Sequence, residues 1–132
     1  MDVAIDTSVI IAVIVNEPQR ETLINLTRGA DLIAPFSVHW EICNAFSAML
    51  KRGRVTLAQA LQAIEIYHQI PLRFVDIELD ESLVLAAQFD LYAYDAYLIR
   101  CALKYDAPLI SLDNGLLQAA RQANAQVIEV MK

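Results

Sequence analysis

One stretch constrains the fold of this chain more than any other: Val3 to Val15, written VAIDTSVIIAVIV. Three apolar residues, Val3, Ala4 and Ile5, meet Asp6; Thr7 and Ser8 follow, and then seven apolar residues in a row. A short apolar run bounded by polar residues reads as a buried strand, and the longer run after it as a buried helix. Asp6 then stands at the carboxyl end of the first strand, the edge at which open α/β sheets bind their ligands. A carboxylate in so apolar a setting is unfavourable unless a hydrogen-bond donor or a positive charge meets it. Taken alone, Asp6 reads as the N-cap of the helix, accepting from the amide of Ser8 or Val9. Whether it is also a ligand depends on whether other carboxylates converge on the same edge.

The rest of the chain repeats the alternation. Glu17-Pro18 ends or kinks the first helix, because proline lacks the amide a continuing helix needs. Residues 18–28 form a second short helix with Leu23, Ile24 and Leu26 apolar, stopped by Gly29. Residues 31–34 are a strand closed by Pro35. Ser37 caps a strong helix to about residue 52, which Gly53 ends, and Thr56 with Gln59 makes a capping box for a helix to about residue 69. Pro71 closes that helix and residues 72–75 form a third strand. Asp80 caps a helix through residue 90, and after a break at 91–94 another runs over 94–105. Residues 108–112 form a strand ending at Asp113, a helix follows to about residue 124, and 127–130 is the fifth strand. Such alternation implies an α/β fold with a parallel sheet and helices on both faces. It leaves the strand order open.

The 132 residues suit a single domain with its own core. The hydrophobic share of 57% exceeds what a core of that size needs, which points to a homodimer or other partner surface. The run over 9–15 is too short to span a membrane. The opening Met1-Asp2-Val3 lacks the basic n-region of a signal peptide, so a cytoplasmic protein is expected. Cys43 and Cys101, far apart in helical patterns, are expected as reduced core residues rather than a disulfide or a zinc pair. The net charge of −6 argues against a nucleic-acid binder at first reading. Setting aside a cluster of site acids brings the remaining balance close to neutral, so charge alone excludes nothing.

Three further acids decide the question raised by Asp6. Asp113 repeats its device, an apolar strand meeting an aspartate before a helix, and again the cap is the first reading. Asp95 heads a stripe formed with Leu98, Ile99, Ala102 and Leu103, the face that looks inward, so that ligand and cap stand equal. Glu41 lies mid-helix at the edge of the stripe of Val38, Ile42, Ala45, Phe46 and Met49, where no cap is needed and no Lys or Arg lies within four residues. Two acids at strand ends and two on inward helix faces can converge on one sheet edge. Oxygen-only ligands without a His or Cys cluster suit Mg²⁺ or Mn²⁺. The matching chemistry is metal-assisted phosphodiester hydrolysis, with one ion or two.

These residues, in this order, resemble the PIN-domain ribonucleases, especially VapC-type toxins of toxin–antitoxin pairs. The motifs are Ile5-Asp6-Thr7-Ser8, E-x-x-N at Glu41 to Asn44, Y-D-A-x-Y-L at Tyr94 to Leu98, and S-x-D at Ser111 to Asp113. The likeness covers essentially the whole chain as one domain, 1–132. It implies an α/β/α sandwich with a parallel sheet of about five strands in the order 3-2-1-4-5, placing Asp6 and Asp113 on one crevice. By the resemblance, Asp6, Glu41, Asp95 and Asp113 match the acidic quartet that holds Mg²⁺ or Mn²⁺. Thr7 or Ser8 matches the hydroxyl supporting the first aspartate. Asn114 stands where some relatives carry a further acid, which leaves one-ion and two-ion sites both open. The implied substrate is RNA, and the implied partners are a cognate antitoxin and a second copy of the chain. The apolar faces around Leu23 and Leu26, and around Leu57, Leu61 and Ile64, are the candidate partner surfaces.

Softer candidates read as structural. The basic run Lys51-Arg52-Gly53-Arg54 is a solvated helix C-terminus before it is an RNA contact. Trp40 reads as core or interface before it is a base-stacking platform. His39 and His68 have no triad partners. A haloacid-dehalogenase-like phosphatase would want a second acid where Ser8 stands, and a receiver-like domain would want paired acids before the phosphorylated aspartate. The remaining alternatives are a housekeeping PIN nuclease in RNA processing and a dimeric binding module in which every acid is a cap or boundary residue.

Overall fold

The computed structural model describes residues 1–130. Its elements run β1 (Asp2–Ile5), α1 (Thr7–Ile14), α2 (Arg20–Thr27), β2 (Asp31–Pro35), α3 (Phe36–Lys51) and α4 (Leu57–His68). They continue with β3 (Leu72–Val75), α5 (Leu79–Phe89), α6 (Ala93–Lys104), β4 (Leu109–Ile110), α7 (Asn114–Gln122) and β5 (Val127–Ile128). The five strands form one parallel sheet in the order β3-β2-β1-β4-β5. Val3, Ala4 and Ile5 are buried in the central strand, as a parallel strand covered on both faces requires. Helices α1 to α4 pack among themselves, with α3 against β2. Helix α6 crosses β1, β2 and β4 and carries α5 on its outside, while α7 lies on β4 and β5. This is the expected α/β/α sandwich. Its largest fully buried side chains include Ile10, Leu23, Ile33, Ile42, Leu98, Ile99, Leu109 and Leu116. No described helix is long and apolar enough to cross a membrane.

Several element ends differ from the sequence expectation for identifiable reasons. Helix α1 stops at Ile14, before Pro18, because Asn16 turns to a positive φ of 58° and the Glu17 amide donates back to the Ala12 carbonyl at 2.9 Å. Ser37 is not a cap: α3 starts a residue earlier, with Pro35 as the N-cap residue, and the Ser37 hydroxyl is buried without a partner. Asp80 is not a cap either, since Glu78 holds that position, and Asp80 sits in the first turn of α5, where its charge complements the helix dipole. The capping box is present, with Gln59 N donating to Thr56 Oγ1 at 3.2 Å and Thr56 N to Gln59 Oε1 at 2.9 Å. Gly29 and Gly53 take the positive φ that closes α2 and α3. Cys101 is buried, which pushes its thiol up to about 12, but Cys43 is exposed and not a core residue. Neither forms a disulfide.

Candidate functional site

The sheet register sets the site. Ala4 and Ile5 pair with Leu109 and Ile110, so Asp6 leaves β1 beside the end of β4, and its amide donates to the Ile110 carbonyl at 3.2 Å. This is the switch point, where the chain winds to β2 on one side of β1 and to β4 on the other. Asp6 is 8% exposed and occupies the N-cap position of α1, yet its side chain makes no capping bond. Instead Oδ2 accepts from Ser8 Oγ at 2.8 Å and from Ser111 Oγ at 2.7 Å. Each hydroxyl is fixed in turn: Ser8 Oγ accepts from Leu112 N at 3.1 Å, and Ser111 Oγ from Asp113 N at 2.9 Å. The carboxylate is therefore oriented across the strands, not down onto its own helix.

Asp113 does cap. Its Oδ1 accepts from Gly115 N at 2.9 Å and Leu116 N at 3.2 Å. A Cβ at Gly115 would lie 3.3 Å from that oxygen, so the bare glycine leaves room for the cap. Glu41 is tied to the other side of the crevice, with Thr7 Oγ1 donating to its Oε2 at 2.6 Å. The two hydroxyls after Asp6 thus divide the work: Ser8 supports Asp6, and Thr7 at the start of α1 holds Glu41 on α3. Asp95 is the third residue of α6, whose N-cap position is Tyr92, so Asp95 is not the cap of that helix.

The four acids feel one another. Burial pushes the Glu41 carboxyl above its ordinary 4.5; the Thr7 hydrogen bond pulls it down, and the charges of Asp6 and Asp95 push it up again. Burial likewise raises Asp95 above 3.8, with Asp113 and Asp6 adding to the effect. Asp6 and Asp95 thus lie near Glu41, and Asp6 and Asp113 near Asp95. No cation answers them: among the described residues the ion pairs join Arg73 to Asp2, Arg100 and Lys104 to Glu78, and Arg121 to Glu129.

Among the described residues no three His, Cys, Asp or Glu side chains draw close enough to cage an ion as they stand. The fit to a hard divalent cation lies in the donor set. Asp6, Glu41 and Asp113 each place one oxygen in protein hydrogen bonds, and no described hydrogen bond reaches the other. Mg²⁺ favours such a setting, since it keeps several waters and takes one or two carboxylates together with substrate phosphate.

Ser111 is the site residue that sequence reading passes over; the S-x-D spacing is the signal that points to it. Asn114 is exposed at the start of α7, directly after Asp113, and lines a cleft with Ser111. The run 51–54 is exposed at the far end of α3, about 15 Å along the helix from Glu41. Trp40 is 72% exposed and not a core residue. His39 Nδ1 lies 2.9 Å from the Tyr67 hydroxyl, which accounts for it as a packing residue.

Fold and site together define a class: a small α/β/α domain with uncompensated carboxylates gathered at the switch point of a parallel sheet. The family model described as PIN domain matches residues 3–122, and the chain belongs to the PIN-domain family. The fold is similar to the crystal structure of PAE2754 from Pyrobaculum aerophilum, at 23% identity and a TM-score of 0.70, covering 90% of this chain and 87% of that one. It is also similar to VapBC2 from Rickettsia felis bound to a DNA fragment from its promoter, at 14% identity and a TM-score of 0.68, covering 97% and 98%. FitAcB from Neisseria gonorrhoeae gives 17% identity and a TM-score of 0.65, covering 98% and 97%. No curated protein is similar to the chain at a significant level.

Proposed function

We propose that this protein is a Mg²⁺- or Mn²⁺-dependent endoribonuclease, the toxin of a toxin–antitoxin pair, acting in the cytoplasm. The observation that carries the reading is the mutual influence of Asp6, Glu41, Asp95 and Asp113 near the end of β1, with no ion pair to any of them among the described residues. Repulsion of that kind persists in a fold when a bound ion offsets it. Membership of the PIN-domain family and the likeness in fold to VapBC2 and FitAcB support the nuclease and toxin parts of the reading.

Asp6, Glu41, Asp95 and Asp113 would hold the ion, with Ser8, Ser111 and Thr7 setting the direction of the first two. When bound, a divalent ion supplies the charge that polarises a phosphodiester and makes water a nucleophile near neutral pH. The hydroxyl donors keep Oδ2 of Asp6 and Oε2 of Glu41 in place, which leaves the other oxygen of each without a described protein partner and able to take an ion. Glu41 and Asp95, raised by burial, take up a proton more readily than surface acids do.

The partner part of the reading, a homodimer and a cognate antitoxin, is supported by exposed apolar side chains. Leu57 and Leu61 on α4 are exposed together with Ile24, Leu26 and Ile66. Leu23 leaves this surface, because it is fully buried against the core, and Ile64 is half-buried on it. A second apolar face carries Phe36, Leu79 and Leu83. Opposed to all this stands the binding-module reading, which draws on the capping bonds of Asp113 and on the open spacing of the acids.

The deciding experiment is cleavage of structured RNAs and of matched DNA by the purified protein, with Mg²⁺, with Mn²⁺ and with chelator. The proposal requires RNA cleavage that needs the ion and is lost in Asp95→Asn. Cleavage unaffected by chelator, or no cleavage with either ion, removes it.

A further inference from the structure

Ser111, whose hydroxyl bonds Asp6, also lines a cleft of about 540 Å³ together with Asn114, Gln118, Arg121 and Glu129. Asn114, Gln118 and Arg121 recur along α7 at i, i+4 and i+7 and are all exposed, while Leu116, Ala119 and Ala120 on the opposite side are buried. One polar face thus leads away from Asp113 for about 10 Å. Among the described residues lining the cleft, Arg121 is the only cation. Its Nη2 lies 2.8 Å from Glu129 Oε1, one residue past β5. Both side chains are well exposed, at 45% and 69%. An exposed pair of this kind contributes little, because solvent screens it. A phosphodiester can therefore displace Glu129 at little loss, and it offers the guanidinium the geometry its fork binds best.

We propose that this cleft positions the RNA strand next to the scissile phosphate, with Arg121 taking a backbone phosphate and Glu129 competing with it. The inference rests on the ribonuclease reading above. Arg121 is a positioning residue; Gln118 and Asn114, on the same face, supply hydrogen-bonding groups for sugar and base edges. The role of Glu129 is to keep the cation occupied until a polyanion arrives, so that weak anions gain little from the cleft. The arrangement supplies a local cation to a chain whose net charge is −6 and whose basic run at 51–54 lies far from the acids.

The test compares the parent, Arg121→Gln, Glu129→Gln and Arg52→Gln on one single-stranded RNA under metal, across a salt series. Arg121→Gln should raise KM about tenfold and reduce the salt slope of binding by about one. Glu129→Gln should move KM the other way, lowering it by up to about fivefold. Arg52→Gln removes the same charge as Arg121→Gln but far from the cleft, and should leave KM and kcat as in the parent. A pair that merely ties α7 to β5 predicts equal losses of melting temperature in the two cleft variants and no opposed shift in KM. Unchanged KM, or shifts in the same direction, overturns the inference while parental cleavage keeps the ribonuclease reading. If Arg121→Gln weakens binding of the antitoxin and leaves RNA unaffected, the cleft serves a protein segment and the inference is likewise overturned. If the parent cleaves no RNA, both fall together.

Discussion

Ser111 donates its hydroxyl hydrogen to Asp6 Oδ2 at 2.7 Å across a sequence separation of 105 residues. The same hydroxyl oxygen accepts from the Asp113 amide at 2.9 Å. A single side chain, itself only 1% exposed, thus sets the direction of one acid and the backbone of another. Ser111→Ala should leave both groups short of a partner in a site with little water. We expect a loss of about 1–3 kcal/mol in stability. Activity should fall about 10- to 100-fold, the range for residues that orient metal ligands. Urea denaturation and steady-state cleavage are the measurements; activity equal to the parent's would show that Asp6 holds its direction without Ser111.

Asp6→Asn separates a structural role of the Asp6 side chain from the ligand role. The amide keeps an oxygen for the Ser8 and Ser111 hydroxyls but loses the charge that strengthens those bonds, a cost of about 1 kcal/mol each. Against that, it removes a negative charge that pushes up both Glu41 and Asp95. The two effects oppose each other, and the net change in stability without metal should be small. RNA cleavage should vanish, and Mg²⁺ should no longer raise the melting temperature, because ligand charge governs the affinity of a hard cation. A variant that cleaves as the parent does, or that gains the same thermal shift from Mg²⁺, would return Asp6 to a purely structural role.

The sequence carried the class of fold in its alternation of apolar runs, and the first run led directly to Asp6. Strand order did not come from pattern, since 3-2-1-4-5 and other orders share the same alternation; it came with the family resemblance. The cap-or-ligand question at Asp6 was undecidable from sequence because both roles occupy the same position at a strand–helix junction. The register of β1 against β4 answers the capping half, by bringing Ser111 to a carboxylate that makes no bond to its own helix. Asp113 shows the opposite outcome from the same local pattern, since its side chain does cap α7. Ser37 and Asp80 are not caps because helix starts depend on backbone angles, and Pro35 and Glu78 already hold the extended conformation, each two residues earlier. Cys43 and Leu23 depart from expectation for a related reason, and Trp40 is exposed, outside the core half of its core-or-interface reading. An apolar residue on a helix faces either the core or a partner, and periodicity fixes the phase of the stripe only to about one residue in 3.6.

Glu78 offers a test of how α5 is attached to α6. Hydrogen bonds from Lys104 and Arg100 hold its carboxyl down to about 2, against an ordinary 4.5. A depressed carboxyl contributes stability that is present above the ordinary value and lost as pH falls through the folded one. Glu78→Gln should therefore lower the melting temperature modestly at neutral pH, and its difference from the parent should shrink between pH 4.5 and about 2. The effect stays small because the pairs are solvent-exposed. A gap between the two proteins that is unchanged at the acid end would mean the contribution is packing, not charge.

The acid crevice itself should give the opposite pH dependence. Burial, reinforced by neighbouring negative charges, holds Glu41 and Asp95 above their ordinary values of 4.5 and 3.8. The folded chain therefore binds these protons more tightly than the unfolded chain does. The stability that protonation brings is complete below the ordinary values and is lost as pH rises through the raised ones. Without divalent metal, the parent should lose melting temperature as pH climbs out of that window, whereas the double variant Glu41→Gln, Asp95→Asn should be flatter there. A divalent ion favours the ionised forms, so Mg²⁺ should stabilise the parent more at about pH 7.5 than at about pH 5. Glu78 acts only on the acid side of 4.5 and with the reverse sign, so above 4.5 the crevice acids alone shape the profile. Melting curves of parent and double variant, with and without Mg²⁺ over this range, decide the matter. Parallel pH profiles for the two proteins would mean that the acids do not destabilise one another, and the electrostatic case for an ion in the crevice would be lost.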